Sequence, residues 1–351
     1  VGKPLKIVGI GDLHLDGKMA SHVPEYNRVC IDEVRAIIDT EYRKGFKIFA
    51  LLGDVFDTEV PSTNGDTGGY RLLVKLFTEF HYVSFLVIGG NHDVDSQSTE
   101  YSHSLSLLQT LVDTGCLPNV TVAIRDPLEV YQETGTPVLL LPWPHEEARE
   151  GSCNLMHTEF AGCTRDNGQP TKVKTPVPEH FCVIGHLHTA QNTLDVHWPG
   201  TLNQKNFGEG VDKRYMKVWW TGDKRTTKVE YVRHAPSYIL RNVVINSLEE
   251  YEAFVVEAKA APESTLFKVF VNSRQVLLPV NAFAGLPSVV KHNHFQSKAE
   301  LNAGLAGDLH LEDSQRQHVD LVGSYQDWMR RNDVDPAVGS RSLELLESFI
   351  T

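Results

Sequence analysis

Phe85-Leu86-Val87-Ile88-Gly89-Gly90-Asn91-His92-Asp93 decides the architecture. Four apolar residues read as a strand buried on both faces, the glycines allow a tight turn, and an amide, an imidazole and a carboxylate follow at once. A buried strand that delivers polar side chains at its C-terminal end puts them in the crevice where open α/β sheets bind their ligands. The construction recurs along the chain. Leu5-Lys6-Ile7-Val8-Gly9-Ile10 precedes Asp12-Leu13-His14, and Ile48-Phe49-Ala50-Leu51-Leu52 precedes Gly53-Asp54. Asn154-Leu155-Met156 leads to His157, and Phe181-Cys182-Val183-Ile184 to Gly185-His186-Leu187-His188. Between the first two strands, Val29, Val34, Ile37 and Ile38 mark one stripe of a helix near 27–44, so strand and helix alternate.

Asp12, His14, Asp54, Asn91, His157, His186 and His188 supply two carboxylates, one amide oxygen and four imidazoles. That set over-supplies one ion. Two ions sharing a bridging carboxylate would each receive about four protein ligands and keep positions open for water and substrate. Asp54 is the natural bridge. Nitrogen and oxygen donors without thiolate suit manganese, iron or zinc better than calcium. Taken singly, each motif has an ordinary explanation as turn chemistry or a packed histidine. Their fixed order behind apolar runs is what points to a metal centre.

The order DLH, GD, GNHD, His, GHLH resembles the calcineurin-like metallophosphoesterases, which implies an α/β fold: a two-sheet β sandwich flanked by helices. Within that superfamily, Gly53-Asp54-Val55-Phe56-Asp57-Thr58, Trp198-Pro199-Gly200-Thr201 and Phe207-Gly208-Glu209 are similar to the SbcD nuclease group, also called the meiotic recombination eleven family, which includes nuclease subunits of large bacteriophages. Thr201 stands where that group usually has serine, and Gly89-Gly90 where proline-glycine is common. The resemblance implies one metal on Asp12, His14, Asp54 and His188, and another on Asp54, Asn91, His157 and His186. It makes His92 the non-ligand histidine beside the scissile phosphate, with Asp93 and Asp57 as orienting groups. The cofactors implied are two divalent ions, Mn2+ first, with Mg2+, Fe2+ or Zn2+ as alternatives.

A second copy of the first motif, Gly307-Asp308-Leu309-His310-Leu311, follows a polar, small-residue segment with no strand run and reads as loop or tail. His292-Asn293-His294, His145 and His197 have no obvious ligand partners and read as surface or structural residues. The cysteines Cys30, Cys116, Cys153, Cys163 and Cys182 form no close pair, which suits reduced thiols in a cytoplasmic protein. No apolar run approaches a membrane span, and no signal-peptide pattern opens the chain, so a soluble protein without membrane contact is expected.

Charge argues against the partner that a nuclease needs. The 351 residues carry 33 Lys and Arg against 45 Asp and Glu, a net −12, whereas nucleic-acid binders present a basic face. From Thr201 to Ala235, however, eight basic residues face four acidic ones, a local balance of +4. Lys205, Lys213, Arg214 and Lys217 from this island are the expected DNA-binding residues, although a solvated strand face is the ordinary explanation of such a run.

A hydrophobic fraction of 41% over this length suits more than one domain. The expected organisation is a nuclease domain over 1–235, a small α/β cap that binds DNA over 236–296, a linker over 297–317 and a helical segment over 318–351. In the cap, a strand from Tyr238 to Ile245, a helix capped by Ser247 and a strand over Leu266–Val271 are predicted. Helices near 319–331 and 338–350 carry Leu321, Trp328, Met329, Leu343, Leu346 and Phe349. The resemblance implies that this segment grips an SbcC-like coiled-coil ATPase in a complex holding a homodimer of the nuclease. The favoured function is a two-metal DNA nuclease, of double-strand exonuclease and single-strand endonuclease type, in end processing, repair or recombination. The alternatives are another metallophosphoesterase, such as a cyclic-nucleotide phosphodiesterase or protein phosphatase, and a non-catalytic scaffold subunit.

Overall fold

The computed structural model describes residues 3–302 except 18, 21–22, 24, 59–60, 63–65, 95–102, 132–134, 167, 277, 279–280, 287 and 296–299. Val1–Leu305 form one compact unit. Residues 303–351 lie outside the described ones, and with them Gly307–Leu311 and both anticipated C-terminal helices.

In the first sheet, β1 (Leu5–Ile10), β2 (Ile48–Leu52), β3 (Ser84–Ile88) and β4 (Val120–Ala123) run parallel in that order. The second sheet contains β5 (Leu128–Val130), β6 (Val138–Leu141), β7 (Cys153–His157), β8 (Cys182–Gly185), β9 (Gln191–Thr193) and β10 (Val196–Trp198), in the order β5-β6-β7-β8-β10-β9. β11 (Lys213–Trp220) and β12 (Lys228–His234) return to the first sheet and add antiparallel strands beside β1. Side chains alternate across the first sheet. Ile7, Ile48, Ala50, Leu52, Leu86 and Ile88 turn inward and pack with Val138, Leu140, Leu155 and Val183 of the second sheet. Val8, Ile10, Phe49, Leu51, Phe85 and Val87 turn outward beneath the helices. Strands apolar on both faces follow from that double coverage.

The helices α1 (Tyr26–Arg43), α2 (Gly69–Glu79) and α3 (Ser106–Asp113) lie between successive parallel strands. In α1, Tyr26, Cys30, Val34, Ile37, Ile38 and Glu41 are buried, a helical period that fits the observed contact face. The second sheet's outer face is closed differently: Leu139, Leu141, Met156, Ile184 and Trp198 pack with Phe160 and Leu187 from loops. The fold is therefore the expected α/β sandwich of two sheets, with helices concentrated on the first.

A third sheet, wholly parallel, contains β13 (Ile239–Ile245), β14 (Thr265–Asn272) and β15 (Val289–Phe295). The helix α4 (Leu248–Ala260) connects its first two strands, and its Ser247 cap accepts a hydrogen bond from the Glu250 amide. Phe254 and Ala258 pack against Phe267, Val269 and Val271. All five cysteines are free, and only Cys116 is exposed. Among the described residues no helix is long and apolar enough to cross a membrane.

Candidate metal centre

Both sheets deliver polar residues at the C-terminal ends of parallel strands. Asp12 and His14 follow β1, Asp54 follows β2, and Asn91 and His92 follow β3; His157 ends β7, and His186 and His188 follow β8. The chain must turn sharply to aim them. Asp12, His14, Asp54 and His186 have φ of 34°, 46°, 45° and 81°, a left-handed conformation that costs non-glycine residues roughly 1–3 kcal/mol each and collects at functional sites. Two glycines make room. A Cβ on Gly90 would meet the Asp54 carboxylate and amide, and one on Gly53, at φ 90°, would meet the His157 ring.

The seven anticipated ligands come together in two groups. In one, ligand atoms of Asp12, His14 and His188 lie within 4.8 Å of one another, with His14 Nε2 and His188 Nε2 3.2 Å apart. In the other, His157 Nε2 lies 3.1 Å from Asp54 Oδ2 and 2.9 Å from Asn91 Oδ1, and His186 Nδ1 lies 3.0 Å from the same Asn91 oxygen. Asp54 Oδ2 is also 3.8 Å from His14 Nε2, so one oxygen faces both groups. The other, Oδ1, accepts the His92 amide at 2.8 Å. The two Asp54 oxygens are thus used differently, one toward the ligand groups and one toward the loop that bears His92. Asp12 is used similarly: Oδ1 accepts the His186 amide at 2.8 Å, while buried Oδ2 has no hydrogen-bond partner.

This donor set fits cations. His157 Nδ1 is committed to the Leu52 carbonyl at 2.8 Å, so its Nε2 confronts two oxygens. His14 Nδ1 lies 3.3 Å from Asp57 and His188 Nδ1 3.0 Å from Glu209, so their Nε2 lone pairs face each other. Confronted acceptors repel unless positive charge lies between them. Burial holds His14 down to about 4 and His186 down to about 3, which keeps both imidazoles neutral as metal ligands must be. Burial likewise pushes the Asp12 carboxyl up to about 7. Burial opposes charge on His157, yet the Asp54 carboxylate beside it draws the imidazole up to about 9. A divalent ion would supply the positive charge that these groups otherwise draw from protons.

His92 lies beside the two groups, its Nδ1 2.7 Å from Asp57 Oδ1 and its ring edge-on to His14 with centroids 4.9 Å apart. Burial works against the Asp57 charge, but hydrogen bonds from His14 and His92 hold its carboxyl well below the usual range. Asp57 therefore touches both a candidate ligand and His92. Asp93 does not share that position. It accepts the amides of Val55, Phe56 and Gly90 and the Ser104 hydroxyl, clamping the β2 and β3 loops from behind.

Of the four basic residues expected to meet DNA, two are buried and all four are engaged within the chain. Lys213 is 2% exposed and bonds Glu209 Oε2 at 2.6 Å and Thr201 Oγ1 at 2.9 Å. Lys217 is 7% exposed and pairs with Glu230 at 2.8 Å. Lys205 donates to the Leu13 carbonyl at 2.6 Å. Arg214 is paired with Asp212 at 2.5 Å but stays at the surface. Lys213 and Lys217 are thus structural, since the acidic partners that neutralise them come with the packing. Two residues at the site carry more than sequence reasoning assigned to them: Glu209 and Asp166, whose oxygens lie 3.0 and 3.1 Å from His188 Nδ1. Glu209 was visible only as part of a motif, and Asp166 sits in a polar segment with turn composition that gave no signal.

Comparison with curated proteins gives no match. Among solved structures, one similar chain is described as Yfce, a phosphoesterase from E. coli; the alignment is 14% identical and covers 66% of this chain and 99% of that one. Its TM-score of 0.29 is too low for any structural argument. Residues 5–259 match the calcineurin-like phosphoesterase family, and that span carries every residue of the two groups; the chain belongs to this family.

Proposed function

We propose that this protein is a two-metal DNA nuclease that hydrolyses phosphodiester bonds. The observation that carries the metal reading is Asp54 Oδ2, a single buried oxygen facing both groups of ligands. Asp12, His14, Asp54 and His188 would hold one ion, and Asp54, Asn91, His157 and His186 the other. Two divalent ions supply charge against the phosphate oxygens and lower the pKa of the attacking water. The chain's own residues do the rest. Asp57 fixes the His92 ring through Nδ1, and Nε2 would protonate or stabilise the leaving oxygen. Left-handed turns hold the ligands before substrate arrives, so little reorganisation is needed at the reacting centre.

DNA as substrate is supported by the segment that resembles the SbcD group. Glu209 contacts His188, and Gln204 exchanges hydrogen bonds with the main chain of Leu240 in β13 at 2.9 and 3.2 Å. Asn242 of the same strand donates to the Phe207 carbonyl at 3.0 Å. The third sheet is therefore tied to the loop beside the metal centre, where a cap over a nucleic-acid strand is useful. An SbcC-like ATPase as partner, a homodimer within that complex and attachment through 318–351 extend the reading and rest on sequence alone.

The pairing of Lys213, Arg214 and Lys217 with carboxylates of the same chain favours a second reading, a phosphodiesterase for small substrates. Duplex DNA, single-stranded DNA and a small chromogenic phosphodiester, each with manganese and with magnesium, separate the two. The nuclease reading expects manganese-dependent DNA cleavage that a chelator abolishes. Cleavage of the small diester with both DNAs untouched would overturn it.

A further inference from the structure

His188 has an unusual environment. Its Nδ1 lies 3.0 Å from Glu209 Oε1 and 3.1 Å from Asp166 Oδ2, while its amide donates to Asp166 Oδ1 at 2.9 Å. Carboxylates accept hydrogen bonds, so in the neutral imidazole the single proton belongs on Nδ1 and Nε2 is left as a lone pair. That lone pair faces His14 Nε2 at 3.2 Å. Glu209 is itself fixed on every side. Oε1 also accepts the Lys205 amide at 3.1 Å and the Asn206 side chain at 3.2 Å, and Oε2 takes the Lys213 ammonium at 2.6 Å.

Asp166, His188 and Glu209 have the donor spacing of a metal site in their own right. Lys213 decides against that use. Its ammonium already supplies the cation next to Glu209, and Thr201 Oγ1 receives another of its hydrogens at 2.9 Å. The cluster is therefore a support for His188 and not a third ion site.

We propose that Glu209 and Asp166 are positioning residues that lock His188 in its Nδ1–H tautomer, with Lys213 as the buried counter-ion that keeps the Glu209 carboxylate in place. The inference rests on the metal reading above, in which His188 Nε2 faces the ion shared with Asp12 and His14. Groups behind a ligating histidine fix its tautomer and raise its basicity, and their loss typically weakens metal binding by about 10–100-fold. His14, by comparison, has one carboxylate at 3.3 Å that it shares with His92.

The full chain, labelled with 15N at histidine and free of metal, gives the direct test. Long-range proton–nitrogen spectra should show His188 as the Nδ1–H tautomer in the wild type. In Glu209→Leu with Lys213→Met, which removes the ion pair without stranding either charge, the signal should move to mixed tautomers. Manganese titration of that variant should show one ion weakened by about 10–100-fold and the other unchanged. A folded double variant that keeps the tautomer and both affinities overturns the proposal. Should the double variant not fold, Asp166→Ala, at the partly exposed edge of the clamp, is read in the same two ways, and unchanged tautomer and affinities in it overturn the proposal equally. Wild-type protein that binds fewer than two ions would sink the metal reading instead, a failure that the metal-free tautomer spectrum tells apart from failure of the clamp.

Discussion

The two halves of the metal centre are held by different means. His14 and His188 are oriented by side chains, Asp57 behind one and Glu209 with Asp166 behind the other. His157 is oriented by the main chain, through the Leu52 carbonyl at the end of β2, and the loop that bears His186 is pinned through its own amide to Asp12. The first half can be weakened by replacing a supporting side chain. The second can be disturbed only by moving a strand end or changing a ligand. Between them stands Asp54, whose Oδ2 belongs to both.

Asp54→Ala should therefore have the largest effect and erase the difference between the halves. Both ions are expected to be lost, with hydrolysis falling to background, while the fold survives because the β2 strand is buried in the sandwich. Metal analysis after manganese loading and dialysis reads the outcome; retention of about two ions would show that Asp54 is no bridge. Gly90→Ala reaches the same carboxylate from the neighbouring loop, since the added Cβ would collide with the Asp54 carboxylate and amide. Loss of both ions is expected there too, with a lower melting temperature, because a clash with backbone is relieved only by moving the loop.

His92→Asn tests whether a residue touching the first half is itself a ligand. With Nδ1 on Asp57 and the ring acting on the leaving group, the substitution should lower kcat by about a hundredfold and leave both ions bound. Loss of one ion would reassign His92 to the group it forms with His14 and Asp54. Asp57→Asn comes next in size. It removes the negative charge behind His14 and His92 together, so one ion should weaken by about tenfold while the ion on His157 and His186 keeps its affinity. Equal weakening of both would mean that the halves are coupled through more than Asp54.

The division between what the sequence reveals and what it hides follows the same line. The β1, β2 and β3 strands are legible because each is apolar on both faces, and the ligands are legible because each stands directly behind such a strand. Supports are harder. Asp166 lies among Arg165, Asn167 and Gly168, a composition that reads as a turn, and its partner His188 comes 22 residues later. The face of β11 that bears Lys213, Tyr215 and Lys217 has the polar alternation of a solvated surface, yet all three are buried on the helix-covered side of the sheet. Glu41 of α1, fully buried, takes the Tyr215 hydroxyl at 2.8 Å and lies 3.8 Å from Lys217. Periodicity shows which residues share a face; it does not show that a distant carboxylate will neutralise that face.

Arg214 gives the smallest predicted effect and the finest test of this contrast. It stands second in β11, where its side chain is 29% exposed and its pairing with Asp212 is a surface salt bridge of small worth. Arg214→Glu should leave melting temperature and both metal affinities unchanged. If the phosphate backbone passes over this face, duplex binding should weaken by a few fold for every sequence tested, and the slope of log affinity against log salt should flatten by about one. Lys213→Glu, one residue away, should instead destabilise the fold and weaken the ion at His188, because it sets two carboxylates against each other in the interior. An unchanged salt slope in Arg214→Glu would remove Arg214 from the DNA path, and with Lys213 and Lys217 already buried the substrate strand would have to be guided by residues outside the β11 island.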